Sequence, residues 1–438
     1  MKWIWTVLLV SLAAVGLSIA LNPPMTIDVW WWRRQLILLT GVAAFAMMSL
    51  IMLLAVRPVW LEKTFGGLDK MYRVHKWAGI LAISLGLLHY FIDLSGPHLL
   101  IQWFERPARG SGGATTFLSS FKGIAKELGE WSVWLLGATL LITLWQRVPY
   151  RPWRYLHKAM AVVYLLLAFH TLVLAPTSYW TQPVGWILAA CIAVGSVCAI
   201  ISLTGNIGRT RRHRGVVTGM RTLSDGMFEI TCKLQGAWRH RAGQFAFLRT
   251  EKPTLEGQHP FTISSADQGN NEIRFSIKAL GDYTRKLQHA LQPGAKVEVE
   301  GPYGQFDFQR NTQQQPQIWI AGGIGVTPFL AWLHRLNEQP ELCPDVDLHY
   351  CVRNAEQAIY ADELNRLSAN LPRIRLHLHY SEKSGNPSSE SLQIKPKHDQ
   401  WPTVWFCGPS TLSEKLRKEL DDAGMPLNLF HQEAFQMR

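Results

Sequence analysis

Cysteine is scarce and widely spaced in this sequence, which limits the chemistry that thiols can supply. None of the six cysteines forms the close pairs that zinc or iron–sulfur sites need, and their spacing offers no disulfide framework. Unpaired thiols suit a reducing compartment such as the cytoplasm. The six are Cys191, Cys198, Cys232, Cys343, Cys351 and Cys407.

Long apolar runs are missing from the second half of the chain but not from the first. Before residue 205, six runs approach or reach the roughly 20 residues that a helix needs to cross a bilayer, and the fourth is the shortest. The runs cover residues 3–21, 36–56, 76–94, 131–145, 157–174 and 184–203. We therefore predict a membrane α-helical bundle of about six helices over residues 1–205.

Acidic residues are outnumbered, with 32 Asp and Glu against 44 Lys and Arg and a formal net charge of +12. This excess does not indicate a nucleic-acid partner, because the basic residues cluster beside the ends of the apolar runs, where lipid headgroups attract them. If all six runs cross, one set of connections, counted together with Lys2 at the N-terminus, carries 14 Lys and Arg, and the other carries 6. The positive-inside rule then predicts a multi-pass protein of the cell inner membrane with its soluble half in the cytoplasm.

The first apolar run has a second interpretation. The segment "MKWIWTVLLVSLAAVGLSIA" combines a basic start, an apolar stretch and small residues near Ser18 and Ala20, as a cleaved signal peptide does. Cleavage would leave five spans and the same cytoplasmic C-terminus. We expect the run to be retained as a helix.

Two apolar runs carry paired histidines, which are costly at membrane depth unless something binds them. His75 and His89 are fourteen residues apart in one run, and His157 and His170 are thirteen apart in another. On a helix these separations are about 21 and 20 Å. The pattern predicts two stacked pairs, His75 with His157 and His89 with His170, each holding one heme iron from both faces.

The helical geometry suits one run better than the other. Fourteen residues at about 100° each return to within about 40° of the starting direction, whereas thirteen miss it by about 140°. The helix with His157 and His170 would therefore need a π-bulge, a kink or a rotated approach.

The soluble half divides into two patterns. Short β-rich runs with turns every eight to twelve residues predict an antiparallel β-barrel domain over residues 210–310. From residue 315 to 438, strands alternate with helices, which predicts a doubly wound α/β domain. Its opening, "IWIAGGIGVTPFLAWLHRL", is a strand, a glycine turn and a helix, a pattern typical of dinucleotide binding.

Five motifs in this order, "HPFTISS", "GDYT", "GPYG", "AGGIGVTPF" and "FCGP", resemble the ferredoxin-reductase-type FAD and NAD(P) module. Joined to the paired-histidine helices, the whole chain resembles the NADPH oxidase and ferric reductase superfamily in a bacterial form. The resemblance implies an NAD(P)H-dependent transmembrane oxidoreductase with FAD and two b hemes.

The resemblance also implies site residues in the barrel domain. One group would line the isoalloxazine and ribityl chain of FAD: His259, Pro260, Phe261 and Thr262. A second group would surround the FAD pyrophosphate: Lys278, Gly281 and Thr284.

For the α/β domain, the resemblance implies two groups around the nicotinamide nucleotide. The phosphates would lie on Gly322, Gly323, Gly325, Thr327 and Pro328. The nicotinamide would be approached by Cys407, Gly408 and Pro409, with Phe435 covering the flavin face that nicotinamide must reach.

Basic and hydroxyl residues predict NADPH in preference to NADH. Arg353 follows one strand of the α/β domain, and Ser381 and Lys383 follow the next, where a 2′-phosphate would gain charge-assisted hydrogen bonds.

The predicted electron order is NAD(P)H, FAD, inner heme, outer heme and an external acceptor, because a flavin accepts a hydride and releases single electrons. An alternative is a heme relay subunit that delivers electrons to a partner protein or quinone. The long connection over residues 96–130 offers a docking surface for such a partner, and its segment "FLSSFKGIAKEL" reads as an interfacial helix or an amphipathic cap.

The acceptor, ferric iron or oxygen, is left open by the sequence. In oxygen-reducing members of the resembled family a further histidine follows the outer ligand by one turn, and Asp93 occupies that position here. Asp93 favours a cationic acceptor such as ferric iron, and Arg33 or Arg34 lies near the outer end of the second run.

Overall fold

The computed structural model describes residues 2–24, 26–105, 117–145, 150–224, 226–252, 255, 257–310, 315–397 and 400–433. It divides into two compact units, which are described separately. The first comprises Met1–Phe65 and Lys70–Ile207, and the second comprises Gly66–Asp69 and Gly208–Arg438.

The first unit is helical. Asp28 caps the second helix by accepting a 2.7 Å hydrogen bond from the Trp31 N–H, and Arg57 ends it in the left-handed conformation with φ 56°. The helices are α1 (Lys2–Leu21), α2 (Val29–Val56), α3 (Val59–Phe65), α4 (Leu68–His98), α5 (Lys122–Leu144), α6 (Tyr150–Leu174) and α7 (Pro183–Leu203).

Five of these helices are long and apolar enough to cross a membrane: α1, α2, α4, α6 and α7. The helix of the fourth predicted run, α5, is not among them in the described chain. Lys122, Lys126, Glu127 and Glu130 occupy its first turns and leave only a short apolar stretch. That α5 crosses the membrane stays a prediction.

Several helices begin well before the apolar runs that predicted them. α2, α4, α5 and α6 start about two turns earlier, because aromatic and charged residues at the membrane surface continue the helix. The segment predicted as an interfacial helix or an amphipathic cap comprises a short 3₁₀ turn, Phe117–Phe121, and the first turns of α5. Residues 106–116 of the predicted docking connection lie outside the described residues.

The second unit opens with a closed antiparallel barrel. Its strands are β1 (Arg212–Ser224), β2 (Met227–Leu234), β3 (Phe245–Thr250), β4 (His259–Thr262), β5 (Glu272–Lys278) and β6 (Lys296–Tyr303), with helix α8 (Asp282–Ala290) before β6. The hydrogen-bonded order is β4-β3-β6-β1-β2-β5. A bridge between Ile263 and Phe275 joins the two outermost strands and closes the barrel. Its interior is filled by residues such as Phe228, Ile230 and Val299.

The chain continues into a parallel sheet with helices on both faces. Its elements are β7 (Gln317–Gly322), α9 (Thr327–Glu338), β8 (Val346–Val352), α10 (Ala361–Ala369), β9 (Ile374–Tyr380), α11 (Ser381–Ser384), β10 (Thr403–Cys407), α12 (Ser410–Asp422) and β11 (Phe430–Gln432). The strand order β11-β10-β7-β8-β9 reverses direction between β7 and β10. Ligands of open α/β sheets bind at such a switch point. The predicted fold class, apolar helices followed by barrel and α/β domains, is confirmed.

Candidate functional site

The outer histidine pair joins α4 to α6. The ring centres of His89 and His170 are 6.3 Å apart, with the planes at 74°. Nδ1 of His89 donates to the Ile37 carbonyl at 2.9 Å, and Nδ1 of His170 donates to the Ala125 carbonyl at 2.8 Å. Because a carbonyl only accepts, each ring carries its proton on Nδ1 and keeps Nε2 as a metal-binding lone pair.

The inner pair joins the same two helices nearer their N-terminal ends. The ring centres of His75 and His157 are 5.9 Å apart, with the planes at 55°. His75 donates a hydrogen bond to the backbone carbonyl of Ile51. The buried Nδ1 of His157 has no hydrogen-bond partner among the described residues, and the Trp153 ring stacks on His157 at 5.0 Å instead.

These spacings can be tested against a heme. Imidazole nitrogen binds a first-row metal at about 2.0–2.1 Å and lies roughly 1.1 Å from its ring centre, so two axial rings on one iron are centred about 6.3 Å apart. The observed 5.9 and 6.3 Å agree with that value. Each pair therefore has the spacing that would let it hold one heme iron.

The thirteen-residue spacing on α6 is accommodated without a π-bulge, because residues 150–174 form an uninterrupted α-helix. His157 and His170 consequently leave different sides of α6, yet both reach α4. Of the three predicted adjustments, a rotated approach of the two helices agrees with these positions of the two histidines.

Glycines bring neighbouring helices close to the outer pair. A Cβ on Gly41 of α2 would lie 3.1 Å from the His89 ring, and a Cβ on Gly129 of α5 would overlap the His170 ring. Neither glycine could be singled out from the sequence, since only the packed neighbour distinguishes them from other glycines in apolar helices.

Gly129→Ala is expected to displace His170 and to lower the heme content toward one per chain. Gly137→Ala is the matched control, because it lies two turns along α5 with nothing within 4 Å of the added Cβ. Both changes gain similar helix propensity. The heme-to-protein ratio of the two purified variants is the measurement, and equal ratios would contradict the steric assignment.

Asp93 is held between two cations. Arg33 Nη2 lies 3.0 Å from one carboxylate oxygen and Lys126 Nζ lies 3.1 Å from the other. Arg33 also donates to the Ile92 carbonyl at 3.1 Å. Because two cations already balance the charge of this carboxylate, Asp93 is no longer evidence for a cationic acceptor.

In the barrel, two predicted motifs meet. The ring of His259 on β4 stacks on Tyr283, the second residue of α8, at 3.6 Å and 23°. The Tyr283 hydroxyl is buried with no partner among the described residues, and burial raises its pKa to about 12. A buried hydroxyl without a partner points to a polar group that the protein normally holds there. Tyr283 belongs to the same motif as Gly281 and Thr284 but is not among the residues predicted from the sequence.

The other predicted FAD residues surround this contact. Pro260, Phe261 and Thr262 continue β4, and Lys278 ends β5, which β4 meets at the barrel closure. The Gly281 N–H donates to Thr284 Oγ1 at 3.1 Å, which begins α8. The N-terminus of α8 is suited to a pyrophosphate, since helix N-termini favour anions.

At the switch point, the two glycine turns touch. A Cβ on Gly322 would lie 2.7 Å from Pro409 Cδ, and a Cβ on Gly325 would overlap the Cys407 carbonyl. Gly323 adopts φ 56°, which favours glycine. The fold therefore brings the predicted phosphate turn and the predicted nicotinamide turn, including Gly408, together.

Other predicted residues of this region differ in their environment. Thr327 is buried and donates to the Ile324 carbonyl at 3.2 Å, while Pro328 lies in the first turn of α9. Cys407 is buried, and burial, with a contribution from Glu433, raises the pKa of its thiol. Phe435 lies outside the described residues.

The residues predicted to bind a 2′-phosphate follow neighbouring strands. Arg353 follows β8 and Ser381 follows β9, and these strands pair at Val352 and Tyr380. Arg353 Nε already lies 2.9 Å from a carboxylate oxygen of Glu382, a contact that the sequence does not predict. A phosphate would have to compete with that carboxylate.

Family models match three consecutive parts of the chain. They are a ferric reductase-like transmembrane component over residues 40–168, an FAD-binding domain over 215–322 and an oxidoreductase NAD-binding domain over 319–418.

Curated proteins are similar to parts of this chain. Ferric reduction oxidase 7, chloroplastic, of Arabidopsis thaliana is 25% identical over 376 residues, covering 77% of this chain and 46% of that protein. Respiratory burst oxidase homolog protein E of the same plant is 25% identical over 206 residues, covering 42% and 21%. The chain spans about half the length of the curated relatives it matches first.

A solved structure is similar over most of the chain. Flavohemoglobin from Malassezia yamatoensis, with bound FAD and heme, has a TM-score of 0.50 at 16% identity, covering 92% of this chain and 97% of that one. At this identity the likeness shows the fold alone.

Proposed function

Because this chain belongs to the NADPH oxidase and ferric reductase superfamily, with FAD- and NAD-binding domains after its transmembrane part, we propose that it is a transmembrane oxidoreductase. It passes electrons from cytoplasmic NAD(P)H through FAD and two b hemes to an external acceptor, oxygen or ferric iron. When bound, FAD converts a hydride into single electrons, which the hemes carry.

The observation that carries this proposal is the pair of histidine sites on α4 and α6. Each pair has the spacing that one iron requires, and the pairs lie at different depths of the same two helices. Hydrogen bonds to the Ile37 and Ala125 carbonyls fix the ring orientation of the outer pair. The ring orientation of His157 is fixed by stacking on Trp153. The Trp153 indole N–H in turn donates to Thr143 Oγ1 at 3.0 Å.

The soluble unit supplies the donor side. The turns at Gly322 and Gly408 provide close backbone approach at the switch point, where a dinucleotide binds. The stack of His259 on Tyr283 orders the flavin side of the barrel. These features favour direct use of NAD(P)H over the relay alternative.

The proposed acceptor side carries charges of both signs. Two cations, Arg33 and Lys126, face the carboxylate of Asp93, and Glu130 accepts a hydrogen bond from the nearby Tyr90 hydroxyl at 2.7 Å. These balanced charges favour neither a cationic nor an anionic acceptor, so oxygen and ferric iron both remain candidates. In the predicted orientation electrons leave the cytoplasm, and the membrane potential assists them.

The test is turnover of the purified, heme- and FAD-loaded chain with NAD(P)H in air. Superoxide, an anionic ferric chelate and a quinone would be followed in parallel. We expect reduction of oxygen or of the ferric chelate. Electron delivery to quinone alone, or only after addition of a partner protein, would replace the proposed activity by the relay alternative.

The nucleotide preference is a separate prediction. We expect a higher kcat/KM for NADPH than for NADH, and Glu382→Gln should widen the difference because it frees Arg353. Releasing one exposed ion pair is worth up to about 1 kcal/mol, or about fivefold in kcat/KM. Glu390→Gln, in the same domain, is the control. Steady-state kinetics with both nucleotides decide it, and a kcat/KM for NADH equal to that for NADPH would reject the preference.

A further inference from the structure

A buried carboxylate lies in the wall of the barrel, outside the residues predicted to contact FAD. Glu300 on β6 is fully buried, and a buried charge needs partners. The Tyr303 hydroxyl donates to Glu300 Oε1 at 2.8 Å, and the Gln258 amide donates to Oε2 at 2.9 Å. Arg212 Nε lies 3.3 Å from the same Oε2. The carboxylate therefore joins three parts of the second unit that are distant in sequence.

The first of these parts is the segment 208–212, with which the main part of the second unit begins. Arg212 is the first residue of β1 and lies directly opposite Glu300 on β6. A Cβ on Gly208 would overlap the Glu300 carboxylate, and Gly208 adopts φ 69°, which favours glycine. The backbone of this segment is thus packed against the buried charge.

Arg211, the neighbouring cation, holds the turn that contains Tyr303. Its guanidinium carbon lies 4.4 Å from the centre of the Tyr303 ring, a distance at which a cation is attracted to the ring face. Arg211 Nη1 also donates to the Pro302 carbonyl at 3.0 Å. Because the Tyr303 hydroxyl reaches Glu300, both arginines belong to one connected network.

Gln258 carries this network to the strand predicted to line FAD. It immediately precedes His259, the first residue of β4, whose ring stacks on Tyr283. β4 has only four residues, so its backbone can form few ladder hydrogen bonds. A side-chain hydrogen bond from Gln258 to the buried Glu300 therefore contributes substantially to the position of the start of β4.

We propose that Arg212 and Glu300 are positioning residues of the flavin site. Their charge pair holds Gln258, and through it the start of β4, in the place that FAD binding requires. The inference rests on the proposed function, because FAD is the ligand whose affinity it concerns. Removing one partner of a buried charge pair is costly, whereas removing both charges is tolerated far better. The segment 208–212 thus contributes to FAD binding, although none of its residues is predicted to touch FAD.

The experiment is titration of the full, heme-loaded and flavin-free chain with FAD to measure its dissociation constant. We expect about tenfold weaker binding in Arg212→Gln and in Gln258→Ala, the effect of losing one hydrogen bond to a charged group. The double variant Arg212→Gln/Glu300→Gln should regain most of the affinity, since it removes both charges of the pair. This recovery separates positioning from a general loss of stability, in which a second buried substitution adds to the damage.

Arg209→Gln is the matched control. Arg209 is exposed in the same segment and has no contact with Glu300 among the described residues, so the same change of charge should leave FAD binding as in the unaltered chain. Heme content and melting temperature report the folding of each variant. Gln258→Ala, at a partly exposed position, keeps the inference testable if Arg212→Gln does not fold.

Two results would overturn the inference. One is an FAD affinity in Arg212→Gln or in Gln258→Ala equal to that of the unaltered chain. The other is a double variant that binds FAD no better than Arg212→Gln, which would make the role of the arginine independent of the buried carboxylate. Failure of the unaltered chain to bind FAD would instead contradict the proposed function, so the two failures are distinguishable.

Discussion

Replacing His89 or His170 by leucine is expected to yield a protein with one heme in place of two. Each change removes one of the two imidazoles proposed to bind the outer heme iron, whose ring centres lie 6.3 Å apart. Leucine fills a similar volume without a lone pair, so the iron loses its bond while the helices keep their packing. The inner pair, His75 and His157, is a separate site and should keep its heme.

Flavin reduction should persist in these variants, because the residues predicted to hold FAD and the nucleotide all belong to the second unit. The measurements are the heme-to-flavin ratio and anaerobic reduction of the flavin by NAD(P)H. His98→Leu, at the C-terminal end of α4, is the control and should retain both hemes. A His89→Leu or His170→Leu protein with two hemes would refute the outer-pair assignment.

Gly325→Ala is expected to impair nucleotide binding severely while leaving both hemes in place. The added Cβ would overlap the Cys407 carbonyl and lie 2.8 Å from the Gly408 nitrogen, so the two turns at the switch point must separate. Overpacking of this kind costs about 1–3 kcal/mol. If that cost falls on the bound state, KM for NAD(P)H rises by about 5- to 150-fold.

Gly219→Ala is the matched control, because its Cβ would meet Thr231 at an ordinary 3.7 Å in the barrel of the same unit. Steady-state KM and heme content of both variants are the measurements. An unchanged KM together with a lowered melting temperature would show that the switch-point turns relax without disturbing the nucleotide site.

The sequence predicts the parts of this molecule that depend on periodic or local patterns. Apolar runs predict the helices of the first unit, and glycine turns between strands and helices predict the α/β domain. The four histidines could be paired from spacing alone, since depth in a helix is proportional to residue number. Their roles in holding heme, like those of the other predicted site residues, stay predictions.

Features that depend on a distant neighbour could not be read in this way. The ion pairs of Asp93 with Arg33 and Lys126 join three helices, and they remove the support that Asp93 alone gave to a cationic acceptor. In the same manner, the ion pair with Glu382 gives Arg353 a partner with which a 2′-phosphate would have to compete. The first turns of α5 looked like an independent amphipathic helix because a sequence pattern does not show where one helix joins the next.

The hydrogen bonds from His89 and His170 end on main-chain carbonyls, and this affects how the outer pair tolerates genetic variation. Ile37 and Ala125 supply the acceptor atoms whatever side chain each position carries. Drift can therefore exchange those side chains within the limits of packing without altering the orientation of either ring. A saturation mutagenesis screen would register strong selection at the two histidines and at Gly129, but little at the positions that hold the rings in place.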